Sequence, residues 1–385
     1  MRFYVSFFLL FFFSASFAGD STYIPLLFQR LLDKQVSHTD FFVEGSFPSF
    51  RQRGNNKNLK ADNNIFYTAL IAYTLQNLKP YLTNDEKVVS DTIINRAKKA
   101  FVYYRNAKGR LTYNFWRTDQ GKDFFPNDKI LNKLKNKFSL ADDLDDTSII
   151  LAVLDIDDST ADKSHQLMQE FANGKYATVK NTYKKYQNIS AYSTWYGKKM
   201  QVDFDFAVHC NILSFVNKYH LNWNKIDSST YELLLDIIDK NYYNQSAKYI
   251  SPYYSYKPVL LYHIGRLFES NHSFELEKRK TKFAIDATKS FNEADNKLSK
   301  VISLTTLYKL NKPTPSFELT ENDINGSLNN TDFVYYTGHL FGHLNNTIKK
   351  ITNSLSSITQ YKWYCASFND CLLLEYLILK HRKKL

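Results

Sequence analysis

Asp142, Asp143, Asp145 and Asp146 fall within five residues and lead into Thr147 and the apolar run Ser148-Ile149-Ile150-Leu151-Ala152-Val153-Leu154. One such side chain suffices to start a helix: an Asp or Thr oxygen takes up free amide hydrogens of the first turn, and its charge suits the positive dipole end. Four carboxylates in about one turn repel one another, which raises the proton affinity of at least one of them or draws in a cation. The cluster therefore reads as a retained proton, a cation site, or a structural cap with several amide partners.

Two further apolar segments open in the same way, after Lys60-Ala61-Asp62-Asn63-Asn64 and after Asp203-Phe204-Asp205. If these segments begin at one mouth, Asp62, Asp143, Asp145, Asp146, Asp203 and Asp205 line a shared polar rim. His209 follows Asp205 by one helical turn, the spacing of a carboxylate–imidazole pair. Tyr262 and His263 lie in another apolar segment. A Tyr/His/Asp set of this kind suits a glycan lyase or hydrolase, in which one group takes a proton and another gives one. His339 and His343 have the i, i+4 spacing of a metal pair. Leu340 stands where a zincin needs glutamate and Gly342 weakens the helix, so no metal site is expected. The sequence holds no Gly-rich phosphate loop, no nucleophile elbow and no catalytic cysteine motif, and it names no cofactor.

Two kinds of segment alternate along the chain to position these groups. Glu86 to Arg105, Asp162 to Phe171, Ser229 to Asp239 and Glu275 to Phe291 are amphipathic and charged, with apolar residues recurring every three or four positions. Asn64 to Leu78, Asp146 to Leu154, Asp205 to Tyr219, Pro258 to Phe268, Leu298 to Leu310 and Asn369 to Lys380 are more uniformly apolar. An amphipathic helix needs one face covered, whereas a helix apolar all round must be surrounded. The alternation predicts an all-α fold, a single α/α toroid of about six helical hairpins with an outer and an inner layer. Within the insert from Asn106 to Ala141, the alternation near residues 110–117 predicts a small strand or hairpin arm.

The run Asp143-Leu144-Asp145-Asp146-Thr147 resembles the Asp-x-Asp-Asp-Thr motif of class II terpenoid cyclases, whose helices form α/α toroids. The resemblance covers this motif and the coarse architecture. It implies that Asp145 is the acid that protonates an alkene or epoxide, with Asp143 and Asp146 keeping it protonated. The chain departs from that family in having one toroid where two are usual. It also lacks the Gln-Trp repeats, with Trp116, Trp195, Trp223 and Trp363 as its four tryptophans.

Arg2, the apolar run Val5 to Phe13 and the small-residue end Ser16-Phe17-Ala18 read as a secretory signal peptide over residues 1–18. Residues 19–385 then form one domain, secreted or periplasmic and without a transmembrane anchor, because no later segment reaches the ~20 apolar residues of a membrane span. Cys210, Cys365 and Cys371 are too few for a disulfide framework. The formal net charge of +12 favours acidic partners, but the cations are dispersed and no nucleic-acid module is present. Tyrosines cluster in connections, at Tyr242-Tyr243 and from Tyr249 to Tyr256, where they fill gaps between helices or stack on a ligand. The ligand expected is a glycan or an apolar molecule; the alternative to both is a non-catalytic scaffold with a filled centre.

Overall fold

The computed structural model describes residues 19–56, 58–121, 123–128, 131, 133, 140–197, 200–326, 332–339 and 359–383. The expected signal peptide and His343 lie outside this set. The protein is mostly helical, with a small antiparallel sheet. Its longer helices are α1 (Ile24–Lys34), α2 (Phe66–Leu78), α3 (Asn84–Phe101), α4 (Leu144–Leu154), α5 (Asp158–Gln169) and α6 (Phe206–Lys218). They continue as α7 (Lys225–Asp239), α8 (Lys257–Ser270), α9 (Phe274–Glu293), α10 (Lys297–Lys309) and α11 (Ala366–Arg382).

The uniformly apolar segments became α2, α4, α6, α8, α10 and α11. Burial reaches every residue from Leu144 to Val153, from Phe206 to Val216, from Pro258 to Phe268 and from Ser367 to Leu379. Each large apolar side chain removed from water in this way contributes roughly 1.5–3 kcal/mol. Helix α2 packs on α4, α4 on α6, α6 on α8, α8 on α10, α10 on α11, and α11 returns to α2. The amphipathic helices cover this set from outside: α3 packs on α2, α7 on α6, and α9 on both α8 and α10.

Local chemistry sets the helix starts. Thr83 and Glu86 form a reciprocal capping box at α3. Asp143, Asp205, Ser273 and Asn296 each accept a first-turn amide at α4, α6, α9 and α10. Pro258 sits in the first turn of α8, where its missing N–H is not needed.

The sheet corrects the all-α expectation. Strands β1 (Ser49–Arg53) and β2 (Lys60–Asp62) form a hairpin, β3 (Asp142–Asp143) pairs with β4 (Trp195–Tyr196), and β5 (Tyr336–His339) pairs with β6 (Gln360–Tyr364). The four-stranded sheet has the order β2-β1-β6-β5, with Phe50 opposite Tyr364 and Tyr336 opposite Trp363. Residues 49–53 thus meet residues 360–364, a pairing of segments too distant for local pattern to announce. His339 ends a strand, so it does not begin the helical pair that its spacing with His343 suggested. A Cβ on Gly338 would come within 2.9 Å of the Trp363 ring on the neighbouring strand β6, so glycine leaves room for that ring.

The strand arm expected near residues 110–117 is reduced to isolated bridges of Tyr113 with Arg105 and Asp143. Asn106, Thr112 and Asn114 turn their side chains onto Asp142 instead, and this polar anchoring replaces a regular ladder. Cys210, Cys365 and Cys371 are all free and buried.

Candidate functional site

The N-terminal ends of α2, α4 and α6 meet at a small enclosed cavity. Phe66 from α2, Asp143, Asp145 and Asp146 at the start of α4, and Val208 from α6 line it. Phe115, Thr194, Trp195, Tyr253 and Tyr336 complete the wall. The volume is about 10 Å³, close to what one water requires. The space is small because aromatic rings occupy the mouth. Tyr336 stacks on Phe115 with centroids 5.5 Å apart and lies 4.6 Å from Phe66.

The three aspartates on this wall have different surroundings. Asp143 is the N-cap of α4, accepting the Asp146 N–H at 2.6 Å. Asp145 is doubly bonded: Asn211 Nδ2 donates to Oδ1 at 2.6 Å, and the Tyr254 hydroxyl donates to Oδ2. Asp146 is buried, and neither carboxyl oxygen receives a hydrogen bond from an N–H or hydroxyl among the described residues. Its neighbour is the carboxyl of Asp143.

Burial, followed by the charges of Asp146 and Asp145, pushes the proton affinity of Asp143 well above the usual carboxylate range. Burial and the charge of Asp145 do the same to Asp146. Burial also raises Asp145, but the hydrogen bonds from Tyr254 and Asn211 and the nearby Arg266 charge oppose it. A carboxylate with two donors is stabilised in its charged form, and one with none is stabilised as the acid. A proton held between Asp143 and Asp146 would give Asp146 the hydrogen-bond partner that it otherwise lacks among the described residues.

The donors to Asp145 extend into a chain of hydrogen bonds. His263 Nδ1 lies 3.2 Å from Asn211 Oδ1, and the Tyr335 hydroxyl lies 3.1 Å from His263 Nε2. With Nδ1 protonated, the polarity runs from Tyr335 through His263 and Asn211 to Asp145. Burial holds the His263 imidazole well below its usual proton affinity, and the Arg266 charge adds to the effect.

The remaining rim candidates are held by partners of their own. Asp62 forms a buried ion pair with Arg51 at 2.7 Å and accepts from Trp116 Nε1 at 3.0 Å and Asn64 Nδ2 at 2.9 Å. Asp203 accepts from the Tyr253 hydroxyl at 2.5 Å. Asp205 caps α6 through the amides of Ala207 and Val208, and takes the Ser251 hydroxyl at 2.5 Å and the Tyr253 amide at 2.9 Å. Burial nevertheless raises the Asp205 pKa to about 7.

His209 does not pair with the Asp205 carboxylate. Its ring donates from Nε2 to the Tyr192 carbonyl at 2.8 Å, and burial lowers its pKa to about 4. The Tyr262 hydroxyl donates to Glu375 at 2.6 Å. His209, Tyr262 and His263 are all absent from the cavity wall, so the Tyr/His/Asp set is not assembled there.

Sequence reasoning passed over Asn211, Tyr254, Tyr335 and Tyr336. Asn211 had a signal, as a carboxamide inside an otherwise apolar helix. Tyr253 and Tyr254 belong to the tyrosine cluster expected to fill gaps between helices or stack on a ligand, and they supply the hydroxyls that reach Asp203 and Asp145. Among the described residues, no group of three or more His, Cys, Asp or Glu side chains is arranged to hold a metal ion. No helix among them is long and apolar enough to cross a membrane. No protein-family model, curated protein or solved structure matches this chain.

Proposed function

We propose that the chain is an α/α-toroid protein that keeps a proton between Asp143 and Asp146 and delivers it as a general acid to an apolar, electron-rich ligand such as an isoprenoid alkene. The observation that carries this reading is the Asp146 carboxyl, buried beside Asp143 with neither oxygen receiving a hydrogen bond from an N–H or hydroxyl among the described residues. The closed sequence of helix contacts, from α2 round to α11 and back, supports the toroid. The resemblance to class II terpenoid cyclases points to the same short motif but moves the acid by one residue. Asp145 takes two donors and serves as the charged neighbour that keeps the pair protonated. Phe66, Phe115, Trp195, Tyr253 and Tyr336 would face the cation formed on the ligand, and aromatic faces attract positive charge. Binding requires the Tyr336 ring to move off Phe115. The expected signal peptide places this chemistry outside the cytoplasm, and N-terminal sequencing of the mature protein should begin at Gly19.

The test is incubation with squalene or a polyprenol in D2O, followed by mass spectrometry. Protonation of an alkene by this acid leaves one solvent-derived deuterium on the product, and Asp143→Asn and Asp146→Asn should abolish it. Absence of any labelled product with several isoprenoid chain lengths would sink the reading. A second reading is favoured by the water-sized volume of the cavity: a non-catalytic scaffold whose centre is filled by its own aromatic rings. Under that reading the two variants fold, no isoprenoid shifts their melting or that of the parent, and the protein acts through its outer surface.

A further inference from the structure

The opposite ends of the buried helices form a second cavity with the opposite charge. It measures about 510 Å³, within the ~300–1,000 Å³ range of small-molecule sites. Its wall comes from the C-terminal halves of α2, α6 and α8, the first turns of α9, the end of α10, and Lys383 just beyond α11. Lys218, Arg266, Lys280, Lys309 and Lys383 line it, against Glu269 and Glu277.

Most of these cations are already matched. Lys309 sits between Glu269 and Glu375, at 2.7 Å from each. Lys218 reaches Asp155 at 3.3 Å, Lys280 reaches Glu277 at 3.2 Å, and Lys383 lies 3.7 Å from Glu269. Arg266 differs. It is 6 % exposed, and among the described residues its Nη1 has no hydrogen-bond partner and no carboxylate forms an ion pair with it. Its guanidinium lies over the rings of Tyr73 and Tyr262, 4.5 and 5.9 Å from their centroids. The Tyr73 and Tyr335 hydroxyls beside it accept hydrogen bonds from the guanidinium but bring no carboxylate charge. Asp145 feels the Arg266 charge but gives its oxygens to Asn211 and Tyr254.

A buried guanidinium without a counter-charge is costly, and its planar fork of donors fits a carboxylate or phosphate group. We propose that this cavity is a binding site for a small oxyanion, a carboxylate or a phosphate, which Arg266 anchors and Lys218, Lys280 and Lys383 attract. The site lies at the far end of the helices from Asp143 and Asp146, and the proposal does not depend on the acid reading.

Calorimetric titration and thermal melts with inorganic phosphate and with succinate, against sodium chloride at equal ionic strength, test it on the full chain. Either anion should bind and raise the melting temperature above the chloride control. Binding of phosphate alone identifies a phosphate ligand, and binding of succinate alone a carboxylate. Arg266→Gln should weaken binding by about ten-fold or more, and the double variant Lys280→Gln/Lys383→Gln by several-fold. Absence of a response to both anions, or an unchanged affinity in Arg266→Gln, overturns the proposal. Should Arg266→Gln fail to fold, an unchanged affinity in the double lysine variant overturns it as well.

Discussion

The Tyr254 hydroxyl donates its hydrogen bond to Asp145 Oδ2 across 109 residues of chain, and this contact separates Asp145 from its neighbour Asp146. Tyr254 and Asn211 both donate to Asp145, which favours its charged form against the effect of burial. Asp146, one position further along the same turn, has no such partner among the described residues. Burial raises the proton affinity of both carboxylates, and the donors to Asp145 oppose that rise where Asp146 has none among the described residues.

Asp146→Asn should stabilise the protein at pH 7 by roughly 1–3 kcal/mol, because the folded parent must take up a proton at that pH to hold Asp146 beside Asp143, whereas the amide donates to Asp143 without one. The sign with pH follows from the raised folded-state proton affinity. The folded protein binds the extra proton above the unfolded pKa of the group, so its contribution is complete in acid and is lost as pH rises. Urea denaturation at pH 4.5 and pH 7.5 should show the advantage of the variant growing with pH. A variant less stable than the parent at both values would count against the retained proton.

Tyr254→Phe leaves Asp145 Oδ2 buried without a donor. A hydrogen bond to a charged group contributes ~1.5–3 kcal/mol, and the variant should lose about that much. In a double-mutant cycle with Asp145→Asn, the two losses should be clearly less than additive. Additive losses would show that the two side chains act independently.

His209 contributes acid sensitivity. Its pKa falls from the ordinary 6.5 to about 4, so the folded state resists taking up a proton that the unfolded chain accepts. Stability present above about pH 6.5 is lost as pH falls towards 4, by roughly 3 kcal/mol at most. His209→Gln keeps a donor for the Tyr192 carbonyl and removes the titration. Its stability should therefore fall less steeply than the parent's between pH 6.5 and 4.5. Equal slopes in the two proteins would reject this assignment.

Asp62 and Arg51 are 0 % and 2 % exposed at their side chains, so their ion pair is wholly internal. Breaking such a pair on one side strands a charge and costs about 3–5 kcal/mol. Arg51→Met should show this loss in denaturant melts, while Arg51→Met/Asp62→Leu recovers much of it. A loss under about 1 kcal/mol in the single variant would mean that Asp62 is not held by this contact.

The sequence by itself located the helices and their starts. A helix apolar on all sides has one stable environment, and the six such segments became the six buried helices. Asp143 and Asp205 cap because an Asp before an apolar run meets first-turn amides whatever the rest of the fold does. Both signals are carried within a few residues of chain. The tertiary structure decided what locality could not express. It brought residues 49–53 to residues 360–364 as a sheet, and it reduced the arm near 110–117 to isolated bridges at Tyr113. It turned His209 towards a backbone carbonyl, away from Asp205. It also brought two donors to Asp145 and none, among the described residues, to the carboxyl of Asp146. Proton affinity depends on which donors arrive, and those for Asp145 come from positions 66 and 109 residues away.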